Sequence, residues 1–181
     1  MSFPDTVSLM RLAAILLLGG CASAMIAAPE VAATLRAPPD QTVFMEALAT
    51  GVQIYDCSAK PGQPTAFEWT FRAPEATLSD RNGRSLGKHY AGPTWESVDG
   101  STVTGEVEAR DQGPDARAIP WLLLGAKSTS GRGVFSQTKN VQRVHTVGGS
   151  APSQACASGN AGQVARVPYT ATYYFYRASA Y

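Results

Sequence analysis

The chain carries little charge and almost no excess of either sign. Its 181 residues include 15 lysines and arginines and 14 aspartates and glutamates, and charged residues make up 16% of the total. Soluble domains usually contain about a quarter charged residues, and no run of five or more basic residues occurs here. Because nucleic-acid binding depends on clustered positive charge, we predict no nucleic-acid partner.

Motifs for cofactors and metals are also missing. Dinucleotide binding needs G-x-G-x-x-G between a strand and a helix, but the nearest string, 131–136, has serine at the third glycine position. The chain has only two histidines, and no cysteine has a second Cys or His at metal-ligand spacing. We therefore predict no cofactor and no metal, and we expect a non-catalytic protein rather than an enzyme.

The N-terminus has the pattern of an export signal. Leu12–Gly20 is an apolar run of signal-peptide length, and it ends in an aliphatic residue and two small residues before Cys21. Lipoprotein signal peptidase cuts before such a cysteine, whose thiol then carries the lipid. We therefore predict a lipoprotein whose signal peptide spans residues 1–20, with Met1 or Met10 as the start.

The same segment predicts where the protein resides. Acyl chains on Cys21 would hold it at a membrane surface, its one predicted partner, and Ala22 points to the periplasmic face of the outer membrane. Ala22–Ala24 also suits the ordinary signal peptidase, so secretion and an uncleaved anchor remain alternatives. Residues 21–39 are rich in alanine and proline and are predicted to be a tether before one domain over residues 40–181.

Two cysteines remain once Cys21 is assigned to the lipid or lost with the signal. An exported protein meets an oxidising environment, so we predict that Cys57 and Cys156 form a disulfide. The closed loop of about a hundred residues would contribute ~4–5 kcal/mol in the chain-entropy model. The alternative is two separate buried thiols.

Period-two alternation of apolar and polar residues predicts half-buried strands. It runs through Phe67–Arg72, Val103–Ala109 and Val167–Tyr176. Turn-forming residues separate these segments, and the apolar run Ile119–Gly125 is best interpreted as a buried strand. We predict an all-β domain with few or no helices after the signal segment, folded as an antiparallel sandwich or a small closed barrel.

One bent segment concentrates polar and aromatic side chains. His89, Tyr90, Trp95, Glu96 and Asp99 lie close together among glycine and proline, where functional residues often occur. As a ligand site, the aromatic rings would stack on a sugar or peptidoglycan fragment and His89 and Glu96 would hydrogen-bond to it. The alternative is a structural turn, with Trp95 in the core and Asp99 bonded to its own turn.

Arg143 and His145 form a second candidate pair. They are two residues apart, so in a regular strand they share a face with Val141 and Val147. If that face is inward, both polar side chains enter the core or a barrel interior and need partners. The alternative is an edge strand with both side chains in water.

Several short strings occur in an order that is typical of one family. They are Gly51–Cys57, His89–Glu96, Asp99–Ser101, Ile119–Leu124, Val141–Val144 and Val167–Ala171. Together they resemble domain of unknown function 3455, over roughly Leu35 to Tyr176. The resemblance implies a small exported protein of a kind found in bacteria and fungi, without an established activity, so no catalytic residues are carried over.

Three functions follow as hypotheses. The first is a non-catalytic envelope protein that binds a ligand or partner through a rigid β domain. The second is a hydrolase of an envelope polymer or saccharide, with His89 and Glu96 as general acid and base. It requires both side chains in one cleft, and their separation would exclude it. The third is a purely structural role, because fold and compartment alone imply no chemistry.

Overall fold

The computed structural model describes residues 26–180, which fold into one antiparallel sheet of eight strands. Three short 3₁₀ helices are the only helical elements in this range, and no helix in it is long and apolar enough to span a membrane. The strands are β1 (Gln41–Lys60), β2 (Gln63–Ser79), β3 (Ser85–Tyr90), β4 (Thr94–Ser97), β5 (Thr102–Asp111), β6 (Trp121–Ser130), β7 (Asn140–Gly148) and β8 (Val164–Ala178). The 3₁₀ helices are η1 (Ala33–Leu35), η2 (Val134–Gln137) and η3 (Ser158–Asn160).

The sheet closes into a barrel. Each strand pairs with the next in sequence, and β8 returns to pair with β1 from Gln41↔Ala178 to Asp56↔Val164. The all-β prediction is confirmed, and of the two predicted architectures the closed barrel is the one formed. The predicted strand in Ile119–Gly125 is confirmed from Trp121 onward.

The barrel has two different ends. At one end the β2–β3, β4–β5 and β6–β7 connections meet, and we call it the closed end. Phe135 of η2 is fully buried there, with its ring 4.7 Å from that of Phe175. The other end carries the β1–β2, β3–β4, β5–β6 and β7–β8 loops, and we call it the open end.

Large and small inward side chains complement each other in the closed half. Trp95 is 1% exposed, and a Cβ added to Gly105 on the neighbouring strand would lie 3.0 Å from its ring and 3.2 Å from Leu124. Glycine at position 105 therefore leaves room for the indole. Close packing of this kind gives a barrel core a single arrangement.

The segment before β1 packs on the outside of the barrel. Tyr174 and Tyr176 of β8 point outward and cluster with Val144, and Val31 and Ala37 pack against them. Leu35 is fully buried, and Gln142 donates a hydrogen bond to its carbonyl oxygen at 2.6 Å. Although this segment was expected to be a tether, its later part covers an apolar outer face that would otherwise meet water.

The disulfide between Cys57 and Cys156 is present, as predicted. It joins the end of β1 to the long β7–β8 loop, with 5.5 Å between the two Cα atoms. The same loop begins at Gly149, whose carbonyl oxygen accepts a 2.7 Å hydrogen bond from the Tyr55 hydroxyl. Gly149 has φ +78°, and a Cβ there would lie 2.8 Å from Tyr169. The loop is thus held to β1 at two places beside the open end. The predicted signal segment and Cys21 lie outside the described residues.

We expect the double variant Cys57→Ala/Cys156→Ala to fold with a Tm lower by on the order of 10 °C. The cross-link restricts the unfolded chain over a separation of 99 residues, which corresponds to about 4 kcal/mol. Thermal unfolding followed by circular dichroism measures the change. A reductant should lower the wild-type Tm to that of the variant and leave the variant unaffected. Equal Tm values for the two oxidised proteins would contradict the prediction.

Candidate functional site

The open half of the barrel contains a cavity of about 420 Å³. Trp95, His89 and Tyr173 are each buried and form part of its wall next to the packed core. Phe71 and Val107 lie at the more exposed part of the wall, where they are 50% and 38% exposed. The remaining wall is mostly apolar and includes Ile119, Pro120, Leu122 and Leu124.

His89 reaches this cavity because β3 turns it inward, where its ring is 2% exposed. Nδ1 lies 2.8 Å from the carbonyl oxygen of Thr94, which only accepts, so Nδ1 carries the proton and Nε2 is an acceptor. The ring stacks on Trp95 at 4.5 Å between centroids. Burial lowers the pKa of His89 to about 3, the Thr94 hydrogen bond opposes the shift, and the charge of Arg143 adds to it. His89 is therefore neutral at physiological pH.

Arg143 contributes a positive charge to the same cavity. Its Nε and Nη2 donate hydrogen bonds of 3.1 and 2.8 Å to the carbonyl oxygen of Pro120. Residues 26–180 provide it with no ion pair. It lies directly opposite Tyr173 in the β7–β8 register. Burial raises the pKa of Tyr173, and the charge of Arg143 opposes that rise.

Several buried polar atoms in or beside the cavity make no hydrogen bond of normal geometry within residues 26–180, although Gln53, Tyr169 and Tyr173 lie close enough together for their side chains to affect the pKa values of the two tyrosines. They are Gln53 Nε2, Trp95 Nε1 and the hydroxyl groups of Tyr169 and Tyr173. Gln53, Trp95 and Tyr173 line the cavity. Leaving a buried donor unpaired costs about 1–3 kcal/mol, so such a group in a native protein needs an explanation.

No aspartate or glutamate of the described chain lines the cavity, whereas three arginines do. Arg72 is paired with Asp56 through two hydrogen bonds. Arg110 is exposed to solvent. The local charge is therefore positive, and the part of it that faces the interior comes from Arg143.

The structure divides the seven predicted site residues. His89, Trp95 and Arg143 line the cavity. Tyr90 and Glu96 alternate to the outer face, where the Tyr90 hydroxyl donates a 3.0 Å hydrogen bond to Glu96, and Lys88 lies 3.3 Å from the same carboxylate. His89 and Trp95 point into the barrel. Glu96 follows Trp95 in the strand and therefore points outward, because neighbouring residues of a strand point to opposite faces. His89 and Glu96 thus do not share a cleft.

Asp99 lies at the closed end and forms the predicted structural turn. Its carboxylate accepts hydrogen bonds from the Ser101 hydroxyl and amide at 2.6 and 2.9 Å and from the Val134 amide at 2.8 Å. The Ser101 hydroxyl is the main cause that lowers the pKa of Asp99 to about 2, and the two amides add to it. Asp99 thereby joins the β4–β5 turn to η2.

The expectation that His145 shares the face of Arg143 is wrong. A bulge lies between Val144 and Val147, and His145 has φ +51°. The extra residue of a bulge reverses which face the following side chains occupy. Val141 is thus fully buried whereas Val147 is 61% exposed. His145 lies on the outside against Trp121, at 5.4 Å between ring centroids.

Gln53, Tyr55 and Tyr173 are cavity residues that the sequence analysis did not select. Gln53 lies between Val52 and Ile54. Because both neighbours are apolar, the sequence pattern predicts that they point inward and that Gln53 points outward. Tyr173 falls within the alternating segment Val167–Tyr176, where alternation predicts a strand but does not single out one residue. Its hydroxyl, at an interior position without a partner, is the signal of a site, and only the structure shows it.

Metal ligands do not converge in the described part of the chain. No three His, Cys, Asp or Glu side chains in residues 26–180 lie close enough together to hold an ion. The arrangement can instead enclose a small molecule: it has an apolar wall, one interior cation and a few unpartnered donors. This is the usual composition of a small-molecule pocket.

The chain belongs to the family described as Protein of unknown function (DUF3455), whose model matches residues 38–177. The resemblance of the sequence strings is therefore confirmed, and the match includes nearly the whole barrel. No curated protein and no solved structure matches the chain.

We expect the free energy of unfolding to fall by about 2 kcal/mol between pH 7 and pH 5. The unfolded chain protonates His89 below its ordinary pKa of 6.5, whereas the folded state keeps the ring neutral down to about pH 3. The contribution of the neutral His89 ring to the free energy of unfolding is therefore fully present above pH 6.5 and is lost as the pH falls. Urea unfolding at the two pH values measures the loss.

His89→Gln should remove most of this pH dependence, and His145→Gln, which replaces the histidine outside the barrel, should retain it. An NMR titration gives a second readout, in which the His89 ring stays neutral at pH 5. Titration of that ring near pH 6.5 in the folded protein would show that the interior is open to water.

Proposed function

We propose that this member of the DUF3455 family is a non-catalytic binding protein that holds a small, mainly apolar ligand in the open half of its barrel. The observation that carries the proposal is the cavity of about 420 Å³. Its volume falls within the ~300–1,000 Å³ of typical ligand pockets, and eight-stranded antiparallel barrels are wide enough to hold one small ligand.

The side chains at the mouth support the proposal. Phe71 and Val107 remain 50% and 38% exposed although the neighbouring core is closely packed. Exposed apolar surface around a concavity is typical of sites that are covered by a partner or ligand. A ligand in the cavity would cover these side chains and contact the aromatic rings beneath them.

The contacts of His89 and Glu96 favour binding over hydrolysis. The hydrolase hypothesis needs both side chains in one cleft, but they lie on opposite faces of the sheet. The string Gly83–Gly87 has the G-x-S-x-G pattern of serine hydrolases, but Ser85 begins β3 after a turn. A nucleophile elbow needs a turn from a strand into a helix.

We further propose that the protein is an exported lipoprotein attached through Cys21 to the periplasmic face of the outer membrane. The apolar run before Cys21 supports this, and the Cys57–Cys156 disulfide is of the kind that forms in oxidising compartments. Secretion without the lipid is the alternative. In either case the barrel would meet ligands outside the cytoplasm.

Intact mass spectrometry of the protein purified from host membranes tests the anchor. We expect a chain that begins at Cys21 and carries acyl groups, with a mass that rises by two hydrogens on reduction. Cys21→Ala should release the protein from the membrane fraction without changing its disulfide. An unacylated chain that begins after Ala24 would contradict the lipoprotein proposal and favour secretion.

Uptake of a neutral polarity-sensitive dye, 1-aminoanthracene, tests the cavity. The protein is exported from a full-length precursor with Cys21→Ala, so that no acyl chain accompanies the barrel. We expect saturable fluorescence enhancement with one site per chain. Val107→Trp should reduce the affinity at least tenfold because the larger ring fills the mouth.

Val98→Trp is the matched control, because Val98 is 71% exposed in the β4–β5 turn at the closed end. Its dye affinity should equal that of the wild type. Equal enhancement by wild type and Val107→Trp, or none by either, would overturn the binding proposal.

A further inference from the structure

We infer that the ligand is a monoanion, an apolar carboxylate whose charged head is bound by Arg143 inside the barrel. This inference rests on the proposed function and names the chemical class of the ligand. Its basis is an interior cation without a counter-ion, beside donors without acceptors.

Partial burial of Arg143 without a counter-ion is energetically costly. The guanidinium is partly buried, donates two hydrogen bonds to the carbonyl oxygen of Pro120, and has no carboxylate partner in residues 26–180. Its charge acts on the pKa values of Tyr55, His89, Tyr169 and Tyr173. Charges removed from water are normally paired, so the cavity is complementary to an anion.

The number of charges selects a monoanion. Arg72 is neutralised by Asp56, and Arg110 is exposed to solvent, where its field is screened. Only Arg143 therefore presents an uncompensated charge to the interior. A dianion such as a phosphate monoester would leave one negative charge unpaired in the barrel.

The available donors suit a carboxylate. Because Nε and Nη2 of Arg143 already bond to Pro120, its Nη1 group remains for a ligand oxygen. Tyr173, directly opposite Arg143 on β8, has an unpartnered hydroxyl, and Gln53 has an unpartnered amide nitrogen. A carboxylate has two oxygens that accept several hydrogen bonds and offer no donor, which matches these groups.

The distribution of apolar side chains sets the orientation. Arg143 lies opposite Tyr173 and Leu122 in the sheet register, and its guanidinium bonds to Pro120 in the β5–β6 loop. Apolar side chains of the cavity wall, Leu122 and Leu124 among them, lie beside this position. The charged head of the ligand therefore binds at Arg143, and its apolar body contacts these side chains.

Calorimetric titration with isosteric pairs tests the inference. The probes are decanoate against decanamide and 2-naphthoate against 2-naphthamide, with the Cys21→Ala protein described above. Each pair differs in charge and hardly in shape. We expect the carboxylate of at least one pair to bind tenfold or more tightly than its amide, because only the carboxylate pairs with Arg143.

Arg143→Gln should reduce this preference to within about twofold while it leaves amide binding within about twofold of the wild type. Arg143→Lys retains the charge and should keep most of the preference. Arg132→Gln removes an exposed arginine at the closed end and should change nothing. The wild-type ratio of carboxylate to amide decides the question even if Arg143→Gln fails to fold.

The outcomes separate this inference from the proposed function. Equal binding of carboxylate and amide by the wild type, or binding of none of the four probes with dye uptake intact, would overturn the carboxylate inference alone. Failure to bind the dye as well would overturn both. A preference for carboxylates that persists in Arg143→Gln would also contradict the role of Arg143.

Discussion

Pairing of β1 with β8 is the interaction on which the rest of the structure depends. It extends along most of both strands and joins the ends of an eight-strand meander. Closure removes the exposed edges that an open sheet presents to other chains. It also sets the width of the interior, because the diameter of a barrel follows from its number of strands.

The interior of this barrel is divided between a closely packed half and a half that contains the cavity. In the closed half Trp95, Phe135 and Phe175 fill the space, and Gly105 accommodates the largest ring. In the open half the same strands leave a cavity with Arg143 and Gln53 in its wall. A cation and unpartnered donors in the interior lower the stability of the fold. Proteins retain such unfavourable features mainly at functional sites.

Part of the site could be predicted because strand geometry is simple. His89 and Trp95 have the same parity along the β3–β4 hairpin, so both reach the interior, whereas Tyr90 and Glu96 alternate outward. The position of His145 could not be predicted from alternation, because the bulge in β7 adds one residue to the count. Nothing in the local sequence requires a histidine with positive φ there.

The sequence by itself determined the all-β class and the pairing of two cysteines. Alternation of apolar and polar residues is visible within a single segment, and the number of cysteines can be counted directly. Tertiary structure alone decided that the sheet closes rather than stacks into a sandwich. It also decided that Arg143 of β7 meets Tyr173 of β8 and shares a cavity with Gln53 of β1. Such contacts between distant segments depend on register and closure, and a one-residue shift would turn each side chain to the other face.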